Sequence, residues 1–232
     1  QSLGQALSEL SPPGGGRGDG GPSLGGTVLD LLSPQDLPRV AAEAEACLGG
    51  VDHWINNAGI NQEPGRLLDL DDANCEKVLR IDLLGPLSAA RAAAPLLARS
   101  AGWLWFMEGH GSDGRIIDGL SLYGCSKRGL AYLWKALARE EGGRRFKVGA
   151  LSPGIMATDF ILQNREKQGE EDWKRSARMF NILADRPETV AAFLVPRILA
   201  ATRNGSRIAW LTNRKAAARF MAAPFARRNI VE

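Results

Sequence analysis

Tyr123 and Lys127 stand four residues apart in the string Tyr123-Gly124-Cys125-Ser126-Lys127. A phenol alone is a poor acid or base at neutral pH, because its unperturbed pKa is about 10. On a helix, residues at this spacing share a face, so the ammonium would stand beside the phenol and favour its ionised form. Such a pair can pass a proton to or from a carbonyl or alcohol oxygen. The same spacing occurs on many solvated helices, so the surrounding elements must decide what it means.

Strand and helix patterns alternate around this pair, whose own helix is expected to run to about Glu141. Short apolar runs at Thr27–Asp30, Val51–Asn56, Gly102–Met107, Phe146–Leu151 and Arg207–Leu211 read as strands. Between them, Gln35–Leu48 is an Ala-rich helix, and Asp71–Arg99 opens on acidic residues that suit a helix dipole. Pro187 starts a further helix, disturbed at Pro196. This alternation predicts an α/β fold, a doubly wound parallel sheet of Rossmann type covered on both faces. Residues 1–26 read as a helix end and a Gly/Pro-rich linker, 27–212 as the domain, and 213–232 as a basic amphipathic tail.

At 232 residues, with 44% hydrophobic and 24% charged residues, the chain suits one globular domain with a substantial core. A formal charge of +3 gives no global pull toward nucleic acid. Cys47, Cys75 and Cys125 are odd in number and far apart, which suits a reducing compartment better than a disulfide framework. No run of about 18 apolar residues occurs, so no spanning helix is expected. His53 and His110 have no carboxylate or cysteine cluster nearby in sequence, and no metal site is expected. The first residue is Gln, so the chain reads as a fragment or a processed form with any targeting segment out of view.

Other strings sit where ligands bind in open α/β sheets, at the carboxyl ends of strands. Asn56-Asn57-Ala58-Gly59 follows one strand directly, although a plain Asn-Gly turn would read the same way. Ser152-Pro153-Gly154, with Thr158, makes a sharp exit from another. Asp30 closes the first strand, where its carboxylate would accept a hydrogen bond from an exocyclic amine or cap the next helix. Trp103 and Trp105 share one strand face and are expected in the core. Asp159–Ala184 mixes Phe160, Ile161, Trp173, Met179 and Phe180 with charges, which suits either a lid over an apolar substrate or a surface helix pair. The tail interleaves Arg214, Lys215, Arg219, Arg227 and Arg228 with Phe220, Met221 and Phe225. A solvated helix packed by its aromatics is the preferred reading there, and contact with an anionic membrane surface the alternative.

In this order, these strings resemble the short-chain dehydrogenase/reductase family over roughly residues 27–212. The resemblance implies that Tyr123 is the proton donor or acceptor and that Lys127 lowers its pKa and holds the nicotinamide ribose. It implies that Asn56, Ala58 and Gly59 line the cofactor site, that Asp30 contacts adenine, and that Pro153, Gly154 and Thr158 border the nicotinamide end. Met107-Glu108-Gly109-His110-Gly111-Ser112-Asp113-Gly114 and the stretch from Met179 to Arg197 look like the chlorophyll b reductases, a plastid branch of the family. That branch implies reduction of the C7 formyl group of chlorophyll b or chlorophyllide b to a hydroxymethyl with NADPH. It also implies a chloroplast setting, at the thylakoid surface or in the stroma; a homo- or hetero-oligomer with a related reductase, and peripheral membrane contact through the basic tail, are the partners considered. Ser112 is then the candidate to hydrogen-bond the substrate carbonyl.

Two departures qualify the resemblance. The family's Asn-Leu-x-Gly string is here Asp82-Leu83-Leu84-Gly85, and an ionised aspartate accepts hydrogen bonds but cannot donate as an amide does. Asp82 is retained as a candidate member of the catalytic set. The second departure is the lack, before Thr27, of a strand, glycine-rich turn and helix to hold a pyrophosphate. Gly14-Gly15-Gly16 and Gly20-Gly21 follow no apolar strand and read as linker, so the fold is expected to be N-terminally incomplete. In a sheet of order 3-2-1-4 the two absent strands would separate Thr27–Asp30 from Val51–Asn56. The rival functions are therefore a truncated, catalytically impaired subunit acting through a partner, and an ordinary short-chain alcohol dehydrogenase.

Overall fold

The computed structural model describes residues 24–63, 65–158, 169–225 and 228–231. The expected helix end and most of the linker before Thr27 lie outside them, as do Phe160, Ile161 and Arg227.

Four strands form one parallel sheet in chain order: β1 (His53–Asn56), β2 (Trp103–Met107), β3 (Lys147–Ser152) and β4 (Arg207–Ala209). Helix α1 (Leu37–Leu48) precedes β1. The connection from β1 to β2 is a continuous helical rod: α2 (Asp72–Leu79), a π-helical turn (Arg80–Leu84) and α3 (Gly85–Ser100). Helix α4 (Ser121–Glu141) links β2 to β3. Helices α5 (Glu170–Leu183) and α6 (Pro187–Leu199) precede β4, and α7 (Asn213–Ala222) follows it.

Strand alternation sorts β2 between two cores. Leu104 and Phe106 face one side, packing with Val148 and Ala150 against Ala90, Ala93 and Leu97 of α3 and Leu130 and Trp134 of α4. Trp103 and Trp105 face the other, with Leu151, Val190, Leu194 and Ile198. Their indoles stack at 4.5 Å and 9°, so both lie in the core as their spacing predicts. A side chain at Gly149 would overlap the Trp105 ring, and glycine there lets the indole lie flat across β3. Asp72–Ser100 is long and apolar enough to cross a bilayer, and part of its apolar surface, including Ala90, Ala93 and Leu97, packs into the first core.

Thr27–Asp30 is not a strand, which corrects the sequence reading. A strand needs a neighbour for its backbone groups, and this segment has none in the sheet. It lies beside α1 instead, where Arg39 donates to the Val28 carbonyl at 3.3 Å and to the Thr27 hydroxyl at 3.2 Å. Val28 is 75% exposed.

The tail also differs from its preferred reading, because arginines hold it rather than aromatics. Arg219 and Arg228 converge on the buried Asp185 carboxylate at 2.7 and 2.6 Å, and Trp210 donates to it at 2.6 Å. Met221 and Phe225 are exposed. Trp173, at the start of α5, packs near Phe180 and Val231, tying the described part of the expected lid to this tail.

Candidate active site

Tyr123 and Lys127 occupy the first turns of α4, buried beside the carboxyl end of β2. The loop leaving β2 passes directly over them. A Cβ added at Gly109 would collide with the Tyr123 hydroxyl and meet Lys127 Cγ and Cε at 3.2 Å. Bare backbone at that position is what leaves room for the phenol.

Asp82 completes the cluster from the π-helical turn, a feature that recurs at functional sites. Its fully buried carboxylate pairs with Lys127 Nζ at 3.5 Å and accepts the Ile60 N–H at 2.8 Å. Ser126 Oγ stands 3.5 Å from it while donating to the Tyr123 carbonyl at 2.7 Å. Burial raises the Asp82 pKa above the usual carboxylate range, against the opposing charge of Lys127.

The Tyr123 phenol is held well above its ordinary pKa, first by burial and then by the Asp82 charge. Spacing alone predicts the opposite, a phenol eased by Lys127. The structure differs because the phenol is buried and because Asp82 pairs with the ammonium, which lies 5.4 Å from the centre of the phenol ring. Tyr123 is therefore protonated at neutral pH, the state needed to give a proton rather than take one.

Ser112 is buried in the same loop and closes it. Its Oγ accepts the Gly109 N–H at 3.1 Å and donates to the Lys127 carbonyl at 3.3 Å, and Arg128 donates to its carbonyl at 3.1 Å. In this geometry the hydroxyl serves the backbone around Gly109.

The expected cofactor residues divide into two groups. Gly59 faces Lys127 and Asp82, and a Cβ there would stand 3.1 Å from Lys127 Nζ. Asn56 accepts from Trp54 Nε1 at 3.1 Å and donates to the Pro86 carbonyl at 3.5 Å. Pro153 and Gly154 leave β3 in a turn whose Gly154 has φ of 76° and abuts Leu211. Thr158 turns its N–H back onto the Met156 carbonyl at 2.9 Å. Asp30 forms a local turn with the Leu32 N–H at 2.9 Å and does not cap α1. A cavity of about 280 Å³ lies between this segment and β1, lined by Thr27, Leu29, Leu31, Trp54, Asn56 and Ala58 among others, and apart from Tyr123 and Lys127.

Sequence reasoning missed three residues. Glu108 is buried, accepting from Trp134 Nε1 at 3.3 Å and from Arg207 at 2.7 Å, which ties β2 to α4 and β4. Gly109 was visible only as one glycine in a rich loop. Gln62 accepts two α4 amides from about 60 residues away, a pairing with no local signal. His53 accepts from Trp105 Nε1 at 3.2 Å, a structural role for that imidazole. Among the described residues no cluster suits a metal ion, and the cysteines form no disulfide.

A family profile described as Enoyl-(Acyl carrier protein) reductase matches residues 19–203. A probable chlorophyll(ide) b reductase of Oryza sativa subsp. japonica is 34% identical over 191 residues, covering 81% of this chain and 36% of the relative. A chlorophyll(ide) b reductase of Arabidopsis thaliana is 30% identical over 192 residues, covering 80% and 53%. Both relatives are named chloroplastic, and the chain spans only about a third to a half of their length. Among solved structures, a putative short-chain alcohol dehydrogenase from Sinorhizobium meliloti 1021 superposes with a TM-score of 0.67 at 25% identity, covering 79% of this chain and 73% of that one. A metagenomic short-chain oxidoreductase in complex with NADP gives 0.60 at 19% identity, covering 80% and 73%.

Proposed function

This chain belongs to the short-chain dehydrogenase/reductase family, and on that premise we propose that it reduces the formyl group of chlorophyll b or chlorophyllide b to a hydroxymethyl with NADPH. The observation that carries the reading is the buried Tyr123–Lys127–Asp82 cluster packed against the bare backbone of Gly59 and Gly109.

That bare backbone makes room for the Tyr123 and Lys127 side chains, and it is the chemistry of this phenol and ammonium that suits the nicotinamide–ribose end of the cofactor. Lys127 and the Asn56–Gly59 loop would hold it, with Pro153 and Gly154 at its margin. Among the described residues no strand, glycine-rich turn and helix offers itself to the pyrophosphate. When bound, the cofactor supplies the hydride. Tyr123, protonated at neutral pH, gives its proton to the oxygen that gains charge. Lys127, anchored by Asp82, keeps positive charge beside the developing alkoxide. Ser112 holds the Gly109 loop over the phenol, and its hydroxyl would serve the substrate carbonyl on releasing the Lys127 carbonyl.

The pigment is supported by the named relatives and by the motifs at Met107–Gly114 and Met179–Arg197. The chloroplast, at the thylakoid surface or in the stroma, follows on the same support. The test is chlorophyllide b with NADPH, following formyl loss by absorbance and the hydroxymethyl product by chromatography. Tyr123→Phe should lower the rate by about 10²-fold or more. A variant as fast as the parent would end the reading. Partner binding without any reduction would favour the supporting-subunit alternative.

A further inference from the structure

We propose that Gln62 is a positioning residue for Tyr123, reaching from the loop after β1 to cap the helix that carries the phenol. The inference rests on the reading of Tyr123 as proton donor.

Helix α4 begins without a cap of its own. Its N-cap residue is Leu120, whose side chain has no oxygen, so the first-turn amides need an acceptor from elsewhere. Gln62 Oε1 supplies it, accepting the Leu122 N–H at 2.8 Å and the Tyr123 N–H at 3.0 Å. Gln62 is only 4% exposed, so water has little access to replace that oxygen. Its Nε2 is buried with no acceptor among the described residues, so the amide is held there through the oxygen.

The loop that presents Gln62 is itself braced. Ile60 donates to Asp82 at 2.8 Å, Gln62 N–H to Asn61 Oδ1 at 3.0 Å, and Glu63 N–H to Asn74 Oδ1 at 3.2 Å. One short segment thus fixes the carboxylate that anchors Lys127 and the backbone of Tyr123. At the other end of the Tyr123 side chain, Gly109 leaves the hydroxyl no slack. Losing the cap would let the first turn of α4 fray and move the phenol against that wall.

The chain has only two tyrosines, and Tyr132 is 78% exposed on the same helix. ¹³Cζ-tyrosine NMR therefore reads Tyr123 with Tyr132 as an internal reference, and amide exchange reads Leu122 and Tyr123 directly. Gln62→Met keeps length but removes the acceptor. It should speed exchange at those two amides by roughly five- to tenfold and shift the Tyr123 signal, leaving Tyr132 unmoved. Gln62→Glu retains a side-chain acceptor and should restore the protection. In turnover, Gln62→Met should lower kcat with KM nearly unchanged. If Gln62→Met does not fold, Gln62→Asn, one methylene too short, should give the same loss of protection. Unchanged exchange and an unchanged Tyr123 signal in whichever of these variants folds would overturn the proposal. Lost protection with kcat unaltered would also overturn it, because the cap would then be structural only. Failure of the reading beneath it shows separately, as a Tyr123→Phe variant that remains active.

Discussion

Substituting Gly109 by alanine tests the most specific contact in the cluster. The added methyl would fall on the Tyr123 hydroxyl and would also press on Lys127 Cγ and Cε at 3.2 Å. Gly109 is not among the glycines with positive φ, so an alanine backbone is tolerated and the effect is steric. Restoring an ordinary contact requires the hydroxyl to retreat by about 1 Å, a displacement that can cost about 10²-fold in rate. That corresponds to roughly 2.7 kcal/mol at the barrier. Overpacking of this kind costs about 1–3 kcal/mol of stability, a fall in Tm of roughly 2–12 °C for a chain of this size. The assay is kcat for formyl reduction beside a thermal melt and the ¹³Cζ signal of Tyr123. A Gly109→Ala variant with parental kcat and an unmoved Tyr123 signal would refute the reasoning, because the phenol could not then be lodged against that backbone.

Two further perturbations follow from the buried charges. Asp82→Asn removes the charge that, after burial, holds the Tyr123 phenol high, and it leaves Lys127 without its counter-charge. Tyr123 should titrate closer to the ordinary value of about 10, and stability should fall by roughly 3 kcal/mol; an unmoved NMR titration would contradict the first expectation and an unchanged urea midpoint the second. Burial alone would raise the Asp185 pKa, but hydrogen bonds from Arg219 and Trp210 and the charges of Arg219 and Arg228 hold it below the usual range. A carboxylate depressed in the folded state adds stability above its unfolded value of about 3.9, and that stability is lost as pH falls through the lower folded value. Trp210 fluorescence should therefore report acid release of the tail, and Asp185→Asn should show that release already at neutral pH; a flat acid profile in the parent chain would argue against it.

Much of the architecture was legible because periodicity is a local property. The strand read at Val51–Asn56 and found at His53–Asn56, the helix running to Glu141 and the paired indoles on β2 all follow from which residues recur at two or at three to four positions. Tyr123, Lys127, Asp82 and Gly59 were also readable as candidates, and folding brings these four together. Asp30 was read as a strand end near a ligand, yet it closes a local turn, because whether Thr27–Asp30 pairs depends on a neighbour that local sequence does not reveal.

What the sequence determined by itself was the alternation of elements and the chemical types available at the carboxyl edge of the sheet, since both rest on near neighbours along the chain. Tertiary structure alone decided how those groups behave. Burial, joined by the charge of Asp82 reaching in from the π-helical turn, reverses the expected effect on the phenol, Gly109 shapes the space for its hydroxyl, and Gln62 caps its helix from another loop. Charge pairing, desolvation and close approach depend on distance in space, and the residues that set them here are separated by tens of positions in the chain.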